Sequence, residues 1–344
     1  MNVPLWPLNL LLMRLNISLY TIFIVLFAFV ILVSCNKEQI PSEIEGAIAF
    51  NSSVGKSRAL VEEIDDMENF SVYGYYTLDG SKSETVFNGD IVTRKIVNIE
   101  GTPTTVWSYS PLRYWTKDAK YVFLGFHPSD ANVIINSTDI NASGELISPS
   151  FTFTLNNDFT KQDDFMFGKS YCTGAVESVA VPFNHLLCQV SIKVKNPNTS
   201  TQTIILDKAN LNGMSSKGRY TGFSSENPGG WSSFSGFSSY NEEYPGGITL
   251  TGEPFLLREN GYMLIPRSYP SSSLKLSLDC RVSTDGGNTY TSVNIIKNFP
   301  ETQWEPSMKY VYTAEISVDY NILFSEPTVT PWGTEQTTGS VIIK

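Results

Sequence analysis

What most constrains this chain is a period of two. In the run "CQVSIKVK" (188–195), Val190, Ile192 and Val194 alternate with Ser191, Lys193 and Lys195. The pattern recurs in "LKLSLDCRV", where Leu274, Leu276, Leu278, Cys280 and Val282 share one side, and in "FSVYGYY", "YVFLGF", "FTFTL" and "YVYTAEISV". Successive side chains of a strand point to opposite faces, so each run reads as a half-buried strand of an antiparallel sheet with one wet face. "TDGGNT" at 284–289 joins two such runs with the Asp-Gly chemistry of positive-φ turns and predicts a hairpin. Only "RALVEEIDDMENF" has helical spacing, with Leu60, Ile64 and Met67 on one side of a turn or two. The expected class is all-β, built as sandwiches, with a division near residue 180 into packed halves, 35–180 and 181–344.

The first 34 residues stand apart. "ISLYTIFIVLFAFVILV" (17–33) is almost wholly apolar, and Arg14 is the only charge before it ends. A basic residue, an apolar core and small residues before a break describe a secretory signal peptide, residues 1–34. A run of 17 residues is also borderline for a bilayer span, so a retained anchor is the alternative. "LVSC" at 32–35 resembles the lipobox of bacterial lipoproteins. That resemblance implies that the Cys35 thiol is acylated and heads the mature chain, and more than one acyl chain (palmitate among them) anchors stably to a membrane.

Composition narrows the partners. The formal charge is −10, and losing Arg14 with the leader leaves −11, which repels a nucleic-acid backbone. Beyond Cys35, the thiols are Cys172, Cys188 and Cys280, and three cannot pair completely. Cys188 and Cys280 fall in strand patterns as small apolar fillers, and a Cys172–Cys188 bridge is an alternative. The two histidines, His127 and His185, share no motif, and no metal-ligand spacing, nucleophile elbow or phosphate loop is present. The expectation is no cofactor, no metal and no catalytic residue. The acidic doublets Glu62-Glu63, Asp65-Asp66, Asp163-Asp164 and Glu242-Glu243 do not suggest a glycosidase, because neighbours on a strand face opposite ways. Between Gly213 and Gly247 a Gly- and Ser-rich stretch carries Tyr220, Phe223, Trp231, Phe234, Phe237 and Tyr240. It reads as a long loop, with Tyr220, Trp231, Phe234 and Phe237 as candidate ligand residues for a glycan or protein, or else as aromatics folded back over the core.

In order along the chain, "EGAIAFNSSVGKSRAL", "FSVYGYYT", "SPLRYWTKDAKYVFLGFHP", "DDFMFG", "VPFNHLLCQVSIKV", "WEPSMKYVYTAEIS" and "ILFSEPTVTPWG" resemble the fimbrillin-like proteins of the Bacteroides group, lipoprotein precursors of surface (type V) pili. The resemblance implies two transthyretin-like antiparallel β-sandwich domains. It also implies an outer-membrane lipoprotein that reaches the cell surface and joins a fimbrium for adhesion, with other pilus subunits as partners. In that family an Arg-specific surface protease cuts near the N-terminus, a first strand leaves, and the C-terminal strand of another subunit fills the slot. The matching positions here are Arg58 and Ala59, with "EGAIAF" (45–50) removed and Val341, Ile342 and Ile343 as the candidate donor. Four buried side chains on the departing strand would offer about 6–12 kcal/mol. A competing reading is a non-polymerising surface lipoprotein that binds glycan or protein through 213–247.

Overall fold

The alternating runs become strands whose apolar faces meet in three clusters. The computed structural model describes residues 46–54, 67–99, 101–156 and 158–332, which belong to one compact unit. Residues 1–34, Cys35, Arg58, Ala59, Leu60, Ile64, Val341, Ile342 and Ile343 lie outside the described residues. At the end of the expected helical turn, Met67 is buried and Asn69 and Phe70 already belong to a strand.

Strands β1 (Phe50–Val54), β2 (Asn69–Thr77), β3 (Glu84–Ile99), β4 (Thr102–Ser108), β5 (Lys120–His127), β8 (Met166–Thr173) and β9 (Val179–His185) form a seven-stranded sheet in the order β1-β9-β8-β5-β2-β3-β4. Its ladders are antiparallel except at the edge, where β1 runs parallel to β9. Phe70, Phe87, Tyr121, Phe123, Val181 and Phe183 fill a core on one face. Gly125 of β5 permits this, because a Cβ there would come within 2.8 Å of the Phe183 ring. On the other face lie Phe126 and Phe167, covered by a four-stranded sheet of β6 (Val133–Ile135), β7 (Ser150–Thr154), β12 (Lys217–Thr221) and β13 (Gly230–Ser235). The ladder between β7 and β12 joins chain from before residue 180 to chain after it.

The third cluster lies between two further sheets. One places β10 (Cys188–Lys195) beside β21 (Met308–Ile316) in parallel. β15 (Phe255–Leu256) and β16 (Tyr262–Leu264) lie along the free side of β10, and β22 (Ile322–Phe324) and β23 (Thr328–Pro331) along that of β21. The other runs β14 (Ser238–Leu250), β11 (Thr203–Met214), β18 (Lys275–Ser283), β19 (Thr291–Asn298). β17 (Ser268–Tyr269) and β20 (Thr302–Gln303) make a small separate pair. Val190, Ile192 and Val194 point into this core, as do Leu274, Leu276, Leu278, Cys280 and Val282. The predicted hairpin forms between β18 and β19, with Gly286 and Gly287 at φ +74° and +90°.

One expectation and one alternative are corrected. The stretch 213–247 is not a long loop, for most of it forms β12, β13 and β14. Its Gly and Ser content hides the strands, which are held by ladders the local sequence does not announce: β12 pairs with β7, more than 60 positions back, as well as with β13, and β14 pairs with β11. Nor is there a Cys172–Cys188 bridge: Cys172, Cys188 and Cys280 are free thiols. Burial pushes Cys172 up to about 11 and Cys280 up to about 12, and it raises Cys188 as well. Since the thiolate is the reactive form, a disulfide reagent at about pH 8 should leave Cys188 and Cys280 unmodified and label Cys172 slowly. Unfolding should release all three at once, and rapid labelling of Cys188 in the native protein would contradict this packing.

Candidate assembly site

The site begins with four consecutive residues, Ala47, Ile48, Ala49 and Phe50, that are all buried. A strand in a sheet with one wet face alternates; this segment does not, because it is enclosed on two sides. On one side the loop 109–115 holds it: Ile48 N donates to Arg113 O at 2.9 Å, Trp115 N donates to Gly46 O at 3.0 Å, and the Tyr109 hydroxyl donates to Ile48 O at 2.7 Å. On the other side Val179 N donates to Ala49 O at 2.7 Å, and the parallel ladder with β9 follows from Phe50 opposite Val179 to Val54 opposite Phe183. The loop is itself fixed by Arg113, which reaches Val86 O (3.0 Å) through Nε and Asp90 Oδ1 (3.2 Å) through Nη2. Burial pushes the Tyr109 phenol up to about 12, so it stays a neutral donor.

Phe50 is the apolar anchor. Its ring, 6 % exposed, makes edge-to-face contacts with Phe70, Phe87, Tyr109 and Phe123 at centroid distances of 5.3–6.1 Å. Each such pair is worth about 0.5–1.5 kcal/mol beyond the buried area. Two of the four buried positions are alanines, so the two large side chains, Ile48 and Phe50, offer about 3–6 kcal/mol rather than the 6–12 expected from four. Backbone hydrogen bonds supply the rest of the hold.

At the other end of the described chain, β23 pairs with β21, and Trp332 N donates to Ser307 O at 2.7 Å. The Trp332 indole is fully buried and stacks on His185, with centroids 5.6 Å apart and planes 10° apart. His185 Nδ1 meets Asp164 Oδ2 at 2.5 Å in a buried pair. His127 Nδ1 lies 2.8 Å from Asn69 O. Both histidines therefore hold structure together. Of the acidic doublets, Glu62-Glu63 and Asp65-Asp66 lie outside the described residues; on β14 Glu242 pairs with Arg258 while Glu243 pairs with Lys208, and ahead of β8 Asp163 is exposed while Asp164 is buried. No group of three or more metal-ligating side chains occurs among the described residues.

The aromatics of 213–247 mostly face inward. Tyr220 and Phe223 are buried, and Trp231 is half-buried with its indole N–H donating to Leu186 O at 2.7 Å. Phe234 lies under the Arg267 guanidinium, 4.4 Å from its ring centroid. Phe237 alone of the four candidate ligand residues is open to water, at 86 % exposure. Sequence reading missed the residues that grip the first strand, Tyr109 and Arg113, and the Asp164–His185–Trp332 cluster. Nothing local marks them, since the contacts that define them reach across 21 to 147 positions.

The fimbrillin-like family model matches residues 57–332, most of the chain. The chain belongs to the fimbrillin-like family. This fimbrillin-like chain shares its fold with a fimbrial protein from Bacteroides vulgatus, 17 % identical, at a TM-score of 0.58 over 83 % of this chain and 99 % of that one. Candidate cell adhesion proteins from Bacteroides ovatus and Bacteroides uniformis, each 14 % identical, align at TM-scores of 0.47 and 0.43 over 84 % of this chain and 98 % of theirs. No curated protein matches the sequence. The family is one of fimbrial and adhesive surface proteins, not an enzyme family.

Proposed function

We propose that this fimbrillin-like chain is a pilus subunit, exported as a lipoprotein through Cys35, cut after Arg58 and assembled by strand exchange. The observation that carries this is the seating of residues 46–54. Residues 47–50 are buried, residues 50–54 pair with β9, a handful of hydrogen bonds holds the segment, and a cut after Arg58 would leave it joined to the domain by nothing covalent. Removing such a strand bares unpaired N–H and C=O groups along β9 and an apolar slot, a surface that captures another strand. The parallel ladder favours exchange, because parallel pairing is slightly weaker per residue than antiparallel. The family match begins at residue 57, beyond β1, which fits a mature chain starting at Ala59. Trp332 is pinned within its own subunit, so the donor is confined to 333–344, with Val341, Ile342 and Ile343 as its apolar content. On this reading the halves 35–180 and 181–344 are two sandwich domains tied by the β7–β12 ladder, and the partners are further subunits, an Arg-specific protease and the outer membrane.

Limited trypsin digestion tests the proposal. The expected product is one stable fragment beginning at Ala59 that then gives a ladder of detergent-resistant oligomers. A core fragment that begins elsewhere, or one that begins at Ala59 and stays monomeric, overturns it. The N-terminal residue of protein from cells separates the states: acyl-Cys35 marks an anchor or precursor, Ala59 an assembled subunit. The second reading, ligand capture by 213–247 without assembly, gains no support from aromatics turned into the core.

A further inference from the structure

Strand alternation sorts the seated first segment into two faces. Ile48 and Phe50 belong to the first core together with Val179 and Val181 of β9, whereas Ala47 and Ala49 do not. Along an extended chain the alanines point the other way, yet they are enclosed as well, at 7 % and 4 % exposure. A larger side chain in either place must push its surroundings aside, which is what makes overpacked sites unfavourable. One residue further on the restriction ends, because Asn51 is exposed and lies opposite Ala180, itself exposed. The next position, Ser52, lies opposite Val181, which is fully buried in the core. The slot therefore takes apolar side chains at positions 48, 50 and 52, small ones at 47 and 49, and any at 51.

The stretch after Trp332, "GTEQTTGSVIIK" (333–344), is short enough to be placed by these limits. Val341 and Ile343 are two apart, so they can share the core face, with Ile342 between them on the other. With Val341 at 48 and Ile343 at 50, Ile342 lands on Ala49 and does not fit. With Val341 at 50 and Ile343 at 52, Ile342 takes the open place of Asn51, while Thr338 and Ser340 take those of Ala47 and Ala49. In the reverse direction every such placement puts Ile342 or Lys344 on Ala49. Turning Ile342 to the core instead puts Val341 or Ile343 on Ala49, or a serine or lysine in the place of Phe50. We infer that the tail of a second copy of this chain enters the slot parallel to β9, with Val341 in the place of Phe50 and Ile343 opposite Val181. This rests on the strand-exchange reading and adds its direction and register. Gly339 then stands where Ile48 stood and leaves that part of the slot underfilled. The register also sets a spacing. Trp332 is fixed in the donor, and the six steps of chain from it to Thr338 span at most about 20 Å, so the donor's β23 must end that close to the acceptor's loop 109–115.

The test uses the full-length protein cut with trypsin, with assembly read from detergent-resistant ladders and from cysteine pairing. A variant carrying Ala180→Cys and Ile342→Cys should link its subunits by a disulfide under oxidised glutathione, because the register sets these two side by side on the open face. Moving the second cysteine by one, as Ile343→Cys, turns it to the core and should reduce linking about 10-fold. Val341→Asp and Ile343→Asp should each weaken assembly about 10- to 100-fold, the loss of one buried apolar side chain, while Ile342→Asp stays within about 2-fold of the unaltered protein. Gly339→Ile should strengthen assembly about 10-fold by filling the place of Ile48, a gain that misfolding cannot produce. Equal losses in Ile342→Asp and Ile343→Asp, weaker assembly in Gly339→Ile, or linking of position 180 to 343 in preference to 342 would overturn the register and leave strand exchange standing. No ladder from the unaltered cut protein would overturn both.

Discussion

Phe50→Ala should destabilise the uncut protein by about 3–5 kcal/mol, the usual cost of emptying a buried aromatic site. The ring meets four other aromatics and lies on the short segment that closes the first core. Collapse of the hole is hindered because Phe70, Phe87 and Phe123 are each on a different strand of the sheet, fixed by its ladders. For a chain of this size each kcal/mol should lower the melting temperature by about 2–4 °C. The informative comparison is with protein cut after Arg58 and assembled. There the proposed exchange has replaced residues 46–54 with a neighbour's tail, so the same substitution should leave the assembled form as stable as the unaltered one. Thermal melts of the two forms check both halves. Equal losses in precursor and polymer would mean that the strand never leaves.

Trp332→Ala should cost a similar 3–5 kcal/mol, while Trp332→Phe should stay within about 1.5 kcal/mol of the unaltered protein. The indole is fully buried against His185, so truncation to alanine leaves a large void beside the Asp164–His185 pair. Phenylalanine keeps most of the stacked area. It also removes the indole N–H, which is buried without a partner, and so relieves a cost of about 1–3 kcal/mol. Chemical denaturation of the two variants measures the difference. Because Trp332 anchors β23 next to the proposed donor segment, the alanine variant should also expose residues 328–331 to hydrogen exchange, and exchange unchanged there would show that β21 alone holds the strand.

Alternation alone determined which residues of β10 and β18 are inside, since a period of two depends only on the local backbone and on one face being wet. The turn at 284–289 and the burial of Cys188 and Cys280 were equally local and equally legible. The composition of 213–247 misled because Gly and Ser report intrinsic turn preference, and distant ladders overrode it. The order of motifs pointed to the fimbrillin-like family. Only the tertiary structure decided that Ala47 to Phe50 are all enclosed, because a loop 60 residues on supplies one wall and β9, 130 residues on, supplies the other. A side chain's own periodicity says which way it points, but what it meets there depends on how far-apart segments are brought together.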